Sequence, residues 1–201
     1  MNQYESDSKT LCSHEELLIT WIGQDPLRIR ALQLVNALHL PQGFIAAGFV
    51  RNLVWDKLHD VVQSKPLADI DVIYFNPNDI STAADKAFER QLRQLAPELP
   101  WSVKNQARMH IRNGDDPYLS SLDAMGYWPE QETAVGVMLQ VGTVTEMGKC
   151  EDDIKLVSAF GLESLFELRL THNQQRSRAV FEARLADKKW LVNYPKLVIS
   201  E

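Results

Sequence analysis

Two aspartates are the residues whose types and spacing point most directly to chemistry. Asp69 and Asp71 flank Ile70 at the start of the β-branched and aromatic run 70–75, a pattern typical of a strand. Alternate side chains of a strand share a face, so both carboxylates should point the same way. Like charges held this close repel each other unless a cation lies between them, and Mg²⁺ favours one or two protein carboxylates together with water and phosphate oxygens. We therefore expect Asp69 and Asp71 to be catalytic residues that bind Mg²⁺ or Mn²⁺.

A glycine turn precedes this pair. Gly48 follows the apolar run 44–47, which suits a buried strand, and it precedes the segment 50–62, whose apolar residues recur at helical spacing. A glycine at a helix N-terminus lets a phosphate approach free backbone N–H groups. Arg51 in the first turn adds a charged contact to such a phosphate. Asn52 either hydrogen-bonds near the site or belongs to the helix surface.

A basic stretch follows the next predicted strand, 101–106. Lys104 and Arg108 lie within 104–112, which contains no acidic residue. Together with Asn105, these side chains are candidates for nucleotide or phosphate binding. The polar face of an edge strand explains them equally well.

The surrounding elements predict an α+β fold. Helices are expected from Ser13, from Asp25-Pro26, over 81–95, over 118–128 and over 178–191, and further strands over 133–140 with 144–147, as a hairpin around Gly142, and over 154–157. This order predicts a mixed β-sheet with helices packed mainly on one face, an N-terminal helical cover and a C-terminal helix. We expect a flexible tail over 1–12 and one domain over 13–201.

Composition limits the classes of partner. The net charge is −6, which argues against bulk nucleic acid as a partner because such binders carry excess Lys and Arg. No apolar run reaches the length of a membrane span, and the polar N-terminus is unlike a signal peptide, so we expect a cytoplasmic protein without a membrane partner. Cys12 and Cys150 show neither zinc-ligand spacing nor a disulfide framework.

Four segments resemble a known family. Gly48 to Asn52 followed by Asp69-Ile70-Asp71 resembles the Gly-Gly-x-Val-Arg-Asp and Asp-x-Asp motifs of the DNA polymerase beta-like nucleotidyltransferase superfamily, especially tRNA CCA-adding enzymes. A fuller likeness, from about Gly43 to Leu197, is to an uncharacterised, mostly bacterial nucleotidyltransferase-like family. It is carried by the segments GFVRNLVWD (48–56), DIDVIYF (69–75), WSVKNQARMH (101–110) and FGLESLF (160–166).

This resemblance implies a metal-dependent nucleotidyltransferase that moves a nucleotidyl group from a nucleoside triphosphate to a hydroxyl of an unknown small-molecule or protein acceptor. The sequence departs from the superfamily pattern at Phe49, where Gly or Ser usually follows the first glycine, and in the longer stretch before Asp69. The alternative is a noncatalytic nucleotide-binding or protein-interaction module with a degenerate site.

The alternative arises because many superfamily members carry a third carboxylate on a later strand, where it deprotonates the acceptor hydroxyl. The predicted strand 101–106 contains no acid, although Asn105 could occupy that place. Three acids on other elements could also substitute: Asp123, Glu132 and Glu146. The sequence does not distinguish among them.

Overall fold

The protein was analysed as a computed structural model, which describes residues 13–62, 66–140 and 153–200. The predicted tail 1–12, the predicted hairpin arm 144–147 and Glu146 lie outside these described residues. None of the helices in the described part of the chain has the length and apolar character needed to cross a bilayer.

A five-stranded sheet in the order β3-β2-β1-β4-β5 forms the centre of the fold. Its strands are β1 (Phe44–Ala46), β2 (Ile70–Tyr74), β3 (Trp101–Asn105), β4 (Val135–Gln140) and β5 (Asp153–Ser158). β2 and β3 run parallel, whereas the other neighbouring pairs are antiparallel. The predicted mixed sheet is therefore confirmed, and β3 forms one edge of it.

Helices and a small second sheet surround this centre. The helices are α1 (His14–Gly23), α2 (Pro26–Asn36), α3 (Gly48–Leu58), α4 (Thr82–Leu95), α5 (Met109–Asn113), α6 (Ser121–Met125), α7 (Glu163–Phe166), α8 (Arg178–Lys188) and α9 (Trp190–Asn193). The second sheet pairs β6 (Arg169–Thr171) with β7 (Val198–Ser200) in parallel. The α+β architecture is confirmed.

The two faces of the sheet have different neighbours. Ile70, Val72 and Tyr74 of β2 lie in the main apolar core, which they share with residues of α1 to α4. Ile73 belongs to a second apolar cluster on the opposite face, together with Met125 of α6. Because side chains alternate along a strand, Asp71 shares this second face with Ile73.

Local signals position most of these elements as predicted. Ser13 caps α1 in a capping box with Glu16, and Asp25 caps α2 ahead of Pro26. The helix predicted over 118–128 is shorter, since only α6 is helical there. The helix predicted over 178–191 is also interrupted, because Lys189 adopts φ 52° and ends α8. The chain then turns into α9.

Candidate active site

The two aspartates lie at one cavity, as their spacing predicts. Asp69 directly precedes β2 and is exposed, whereas Asp71 lies within β2 and is half-buried. Both line a cavity of about 450 Å³ together with Gly48, Arg51 and Asn52, which we name the glycine cavity. Burial, and then the negative charge of Asp69, raises the pKa of the Asp71 carboxyl.

The turn before α3 has an unusual backbone at Ala47 rather than at Gly48. Ala47 adopts φ 57° and ψ −124°, a region that glycine occupies at low cost and other residues rarely enter. Gly48 instead provides space, because a Cβ there would lie 3.3 Å from Nδ2 of Asn52. No side chain caps α3, in contrast to α1, α2 and α4. The first turn of α3 thus presents its backbone to the glycine cavity.

The Arg51 guanidinium lies against two indole rings, which contact each other edge-on. Its central carbon is 4.7 Å from the ring centroid of Trp55 and 4.4 Å from that of Trp190. Nη1 donates to Oγ1 of Thr133 at 2.6 Å, while Nε and Nη2 donate to Oδ1 of Asn52 at 3.2 and 3.0 Å. Burial lowers the pKa of Arg51 to about 10, so the group stays cationic at neutral pH.

A buried carboxylate extends this network. Glu130 accepts a hydrogen bond from the hydroxyl of Thr133 at 3.1 Å, and it also accepts from Nε of Arg184 at 2.5 Å. Because Glu130 is fully buried and has these partners, its negative charge is compensated inside the protein. Arg51 and Arg184 are therefore held in fixed positions around one carboxylate.

A second cavity, of about 440 Å³, is also lined by Asp71. It shares Ala47, Asp71, Thr133 and Arg184 with the glycine cavity. Its remaining lining includes three aromatic side chains and several polar ones, and we name it the tyrosine cavity after Tyr118 and Tyr127. The rings of these two tyrosines lie 5.0 Å apart. Lys104, exposed on β3, also lines this cavity.

Asn105 and Arg108, predicted to bind nucleotide or phosphate, line neither cavity, so the structure does not bring them together with Asp69 and Asp71. Asn105 is opposite Tyr74 in the register of β2 and β3, on the face that contacts α4, and its amide donates to the backbone oxygens of Asn76 and Asp79. Arg108 forms an ion pair with the buried Asp85 of α4. Both side chains stabilise the connection between the sheet edge and α4.

Ser102 occupies the position that Asn105 was expected to fill. It lies directly opposite Asp71 in the parallel register, and its side chain opposes the rise in the pKa of that carboxyl. Of the other candidates for a third acid, Glu132 accepts from the backbone N–H of Thr171, and burial raises the pKa of its carboxyl. Asp123 accepts from the backbone N–H of Leu119. Neither lines the glycine or the tyrosine cavity.

Several residues at the site were not found from the sequence. Thr133, Glu130 and Arg184 lie far from the motifs along the chain, and no local spacing links them to Asp71. Lys188 of α8 and Trp190 of α9 also line the glycine cavity. The polar face of the predicted C-terminal helix was the only signal for Arg184 and Lys188, since it showed charged residues without showing what they contact.

The donor set at the aspartates suits a single hard cation. No group of three or more His, Cys, Asp or Glu side chains that could hold a metal occurs within the described ranges. Two carboxylates alone match the needs of Mg²⁺, which retains several waters and takes further oxygens from substrate phosphates. Burial first, and then the charge of Asp69, raises the pKa of Asp71, and a bound cation would oppose both effects by favouring the ionised carboxylate.

Residues 33–199 match the family described as Nucleotidyltransferase. The chain belongs to the nucleotidyltransferase family. Among curated proteins, no sequence matches this nucleotidyltransferase closely enough to count as a relative.

Solved structures agree with this assignment. An NMR structure described as a CCA-adding enzyme head domain has a TM-score of 0.77 and 28% identity, and the match covers 96% of this nucleotidyltransferase and 98% of that chain. Together with the family match, this similarity supports nucleotidyl transfer as the general chemistry.

Two larger chains share the fold. A CCA-adding enzyme in complex with CTP has a TM-score of 0.55 and 12% identity, covering 93% of this nucleotidyltransferase and 43% of that chain. A tRNA-processing enzyme complex has a TM-score of 0.50 and 16% identity, covering 85% and 43%. The nucleotidyltransferase therefore spans less than half of each of these two chains.

Proposed function

We propose that this protein transfers a nucleotidyl group from a nucleoside triphosphate to a hydroxyl acceptor, with Mg²⁺ or Mn²⁺ bound by Asp69 and Asp71. The observation that carries the proposal is that the uncapped N-terminus of α3 and both aspartates line one cavity. A helix N-terminus favours anions, whereas a carboxylate pair favours cations. A triphosphate with its metal ion satisfies both.

The triphosphate would lie against the first turn of α3. Gly48 leaves the backbone open to a phosphate, and Arg51 contributes a positive charge that Trp55, Trp190 and Thr133 hold in place. Lys188 adds a second positive charge at the cavity wall. The volume of about 450 Å³ is within the range of small-molecule sites.

Asp69 and Asp71 would position the donor through the cation. When bound, Mg²⁺ would neutralise phosphate charge and lower the pKa of the attacking hydroxyl. The acceptor oxygen forms a bond to the α-phosphorus, the bond to the bridging oxygen breaks, and pyrophosphate leaves. Among the described residues, no further carboxylate lies beside Asp71 in the sheet, and we assign the hydroxyl proton to water in this proposal.

A noncatalytic nucleotide-binding module is the second candidate, and Ser102 is the observation that favours it. This residue stands beside Asp71, where a third carboxylate would act as a base. A hydroxyl cannot take that role at neutral pH. The module would bind a triphosphate at the glycine cavity without transferring it.

Calorimetric titration and a transfer assay separate the two candidates. Binding would be measured with Mn²⁺ and the α,β-methylene analogue of ATP, and transfer with radiolabelled ATP, CTP, GTP or UTP by release of pyrophosphate. The enzyme should bind the analogue and release pyrophosphate, and Asp71→Asn should abolish release. Asp153→Asn, an exposed acid on β5, is the matched control and should behave as the wild type. Binding without any release supports the module, and no binding overturns both candidates.

A further inference from the structure

The tyrosine cavity is distinct from the proposed donor site but meets it at Asp71. Gly48, Arg51 and Lys188 line the glycine cavity and not the tyrosine cavity. The shared boundary consists of Ala47, Asp71, Thr133 and Arg184. Any reaction at a metal ion bound to Asp71 is therefore accessible from two sides.

The direction of attack assigns roles to the two sides, provided that the proposed function holds. In phosphoryl and nucleotidyl transfer, the attacking oxygen and the leaving group lie in line on opposite sides of the phosphorus. Pyrophosphate leaves on the side of Gly48, because that helix terminus holds the phosphates. The attacking hydroxyl must then enter from the side away from Gly48, and the tyrosine cavity borders Asp71 without including Gly48 in its lining.

Aromatic side chains give the tyrosine cavity its shape. Tyr118, Tyr127 and Trp128 line it, and the guanidinium of Arg176 lies 5.5 Å from the ring centroid of Tyr127. Aromatic walls favour a flat ring, which stacks offset or edge-on against them. A volume of about 440 Å³ fits a small molecule rather than a folded macromolecule.

Among the described residues that line the tyrosine cavity, one cation is available to a ligand. Arg176 forms a two-bonded ion pair with Asp115, at 2.7 and 2.5 Å, and Arg184 is paired with Glu130. Lys104 is exposed, and no carboxylate within the described ranges pairs with it. An acceptor with one negative group would neutralise Lys104 while its ring lies against the tyrosines.

We propose that the tyrosine cavity binds the acceptor, and that the acceptor is a small planar aromatic alcohol with one anionic group. Its hydroxyl oxygen bonds to the α-phosphorus at Asp71, pyrophosphate departs along α3, and the hydroxyl proton passes to water. Lys104 and Tyr127 select this acceptor, whereas Lys188 acts on the donor.

Pyrophosphate release tests the acceptor class with a defined probe. The probe is para-hydroxymethylbenzoate, which has a ring, a hydroxyl and an anion. Its two controls are benzyl alcohol, without the anion, and the saturated cyclohexane analogue of the probe, without the aromatic ring. With saturating Mg²⁺ and nucleoside triphosphate, the probe should raise release about tenfold above the rate in buffer, and each control should raise it far less.

Matched variants test whether the probe binds in the tyrosine cavity. Lys104→Gln and Tyr127→Leu should each raise the KM for the probe about tenfold while leaving the KM for the nucleotide within twofold. Lys188→Gln should instead raise the KM for the nucleotide about tenfold while leaving the KM for the probe within twofold. Lys86→Gln, on the exposed face of α4, should change neither. Lys104 is exposed, so its variant remains informative even if Tyr127→Leu does not fold.

Four results overturn the inference. The first is weaker binding of the α,β-methylene analogue of ATP by Lys104→Gln, which would make the tyrosine cavity a donor site. The second is that both controls stimulate pyrophosphate release as much as the probe does. The third is that none of the three compounds stimulates release while the analogue still binds. The fourth is that the nucleotidyl group is transferred only to a protein hydroxyl. Failure of the analogue to bind the wild type would instead overturn the proposed function.

Discussion

Ser102 lies opposite Asp71 on the neighbouring parallel strand, and its side chain opposes the rise in the pKa of that carboxyl. Replacing this residue by an acid would therefore place a third carboxylate at the proposed metal site. Ser102→Asp should tighten Mn²⁺ binding about tenfold, because three anions hold the ion instead of two. Titration calorimetry would measure the affinity, and Ser102→Ala, which has no ligand atom, should show no gain. Weaker metal binding by the aspartate variant would mean that this position does not face the ion.

The pair Asp69 and Asp71 should lower stability when no metal is bound. Burial and Asp69 raise the pKa of Asp71 above its unfolded value, so the folded state holds its proton more strongly than the unfolded state. The resulting penalty is absent below the unfolded pKa and is complete above the folded pKa. Asp71→Asn should therefore melt at a higher temperature than the metal-free wild type at pH 7, and the difference should vanish as the pH approaches 4.

Thermal melts with added Mn²⁺ provide the control for this effect. The metal should raise the melting temperature of the wild type and leave that of Asp71→Asn unchanged. A variant that melts lower than the metal-free wild type at pH 7 would contradict the repulsion between the two carboxylates.

Replacing Ala47 by glycine should stabilise the protein. Its backbone, at φ 57° and ψ −124°, is unfavourable for any residue with a Cβ. Ala47→Gly should raise the free energy of unfolding by about 1 kcal/mol, measured by urea denaturation. Ala46→Gly, one residue earlier in the extended and buried β1, should lower it by a similar amount. Equal effects at both positions would show that the backbone of Ala47 is not strained.

Arg51 should not be replaceable by lysine. A lysine lacks the planar group that lies against Trp55 and Trp190, and it cannot bond Thr133 and Asn52 simultaneously in this geometry. Arg51→Lys should lower the free energy of unfolding by about 2 kcal/mol and weaken binding of the ATP analogue about tenfold. Arg178→Lys, at an exposed ion pair on α8, is the matched control and should do neither. If Arg51→Lys binds the analogue as tightly as the wild type, Arg51 does not have the proposed role in binding phosphate.

The sequence predicted the elements that carry the motifs because their signals are local. The alternation through β2 placed Asp69 and Asp71 at one cavity, and the turn before α3 placed Gly48 beside them. The expectation for Asn105 failed for a reason that alternation alone cannot reveal. Asn105 shares a face of β3 with Trp101, as predicted. Whether it also shares a face of the sheet with Asp71 depends on the register between β2 and β3, and a shift of one residue exchanges the faces.

The remainder of the site depends on contacts that are distant in sequence. Arg51 donates a hydrogen bond to Thr133, which lies 82 positions away in the sequence, and nothing in the spacing of either residue indicates this contact. The continuous helix predicted over 178–191 was also wrong, because periodicity does not show a single residue with positive φ. Such residues are set by the packing of the completed fold.

The positive φ of Lys189 bears on how one wall of the glycine cavity can change between related sequences. Lys189 forms an elbow between α8, which carries Lys188, and α9, which carries Trp190. Changes in the angle or length of this elbow would reshape one wall of the glycine cavity while the aspartates stay on their strand. Under the proposed function, the contacts that Lys188 and Trp190 make with a donor could therefore change while Asp69 and Asp71 keep their places at β2.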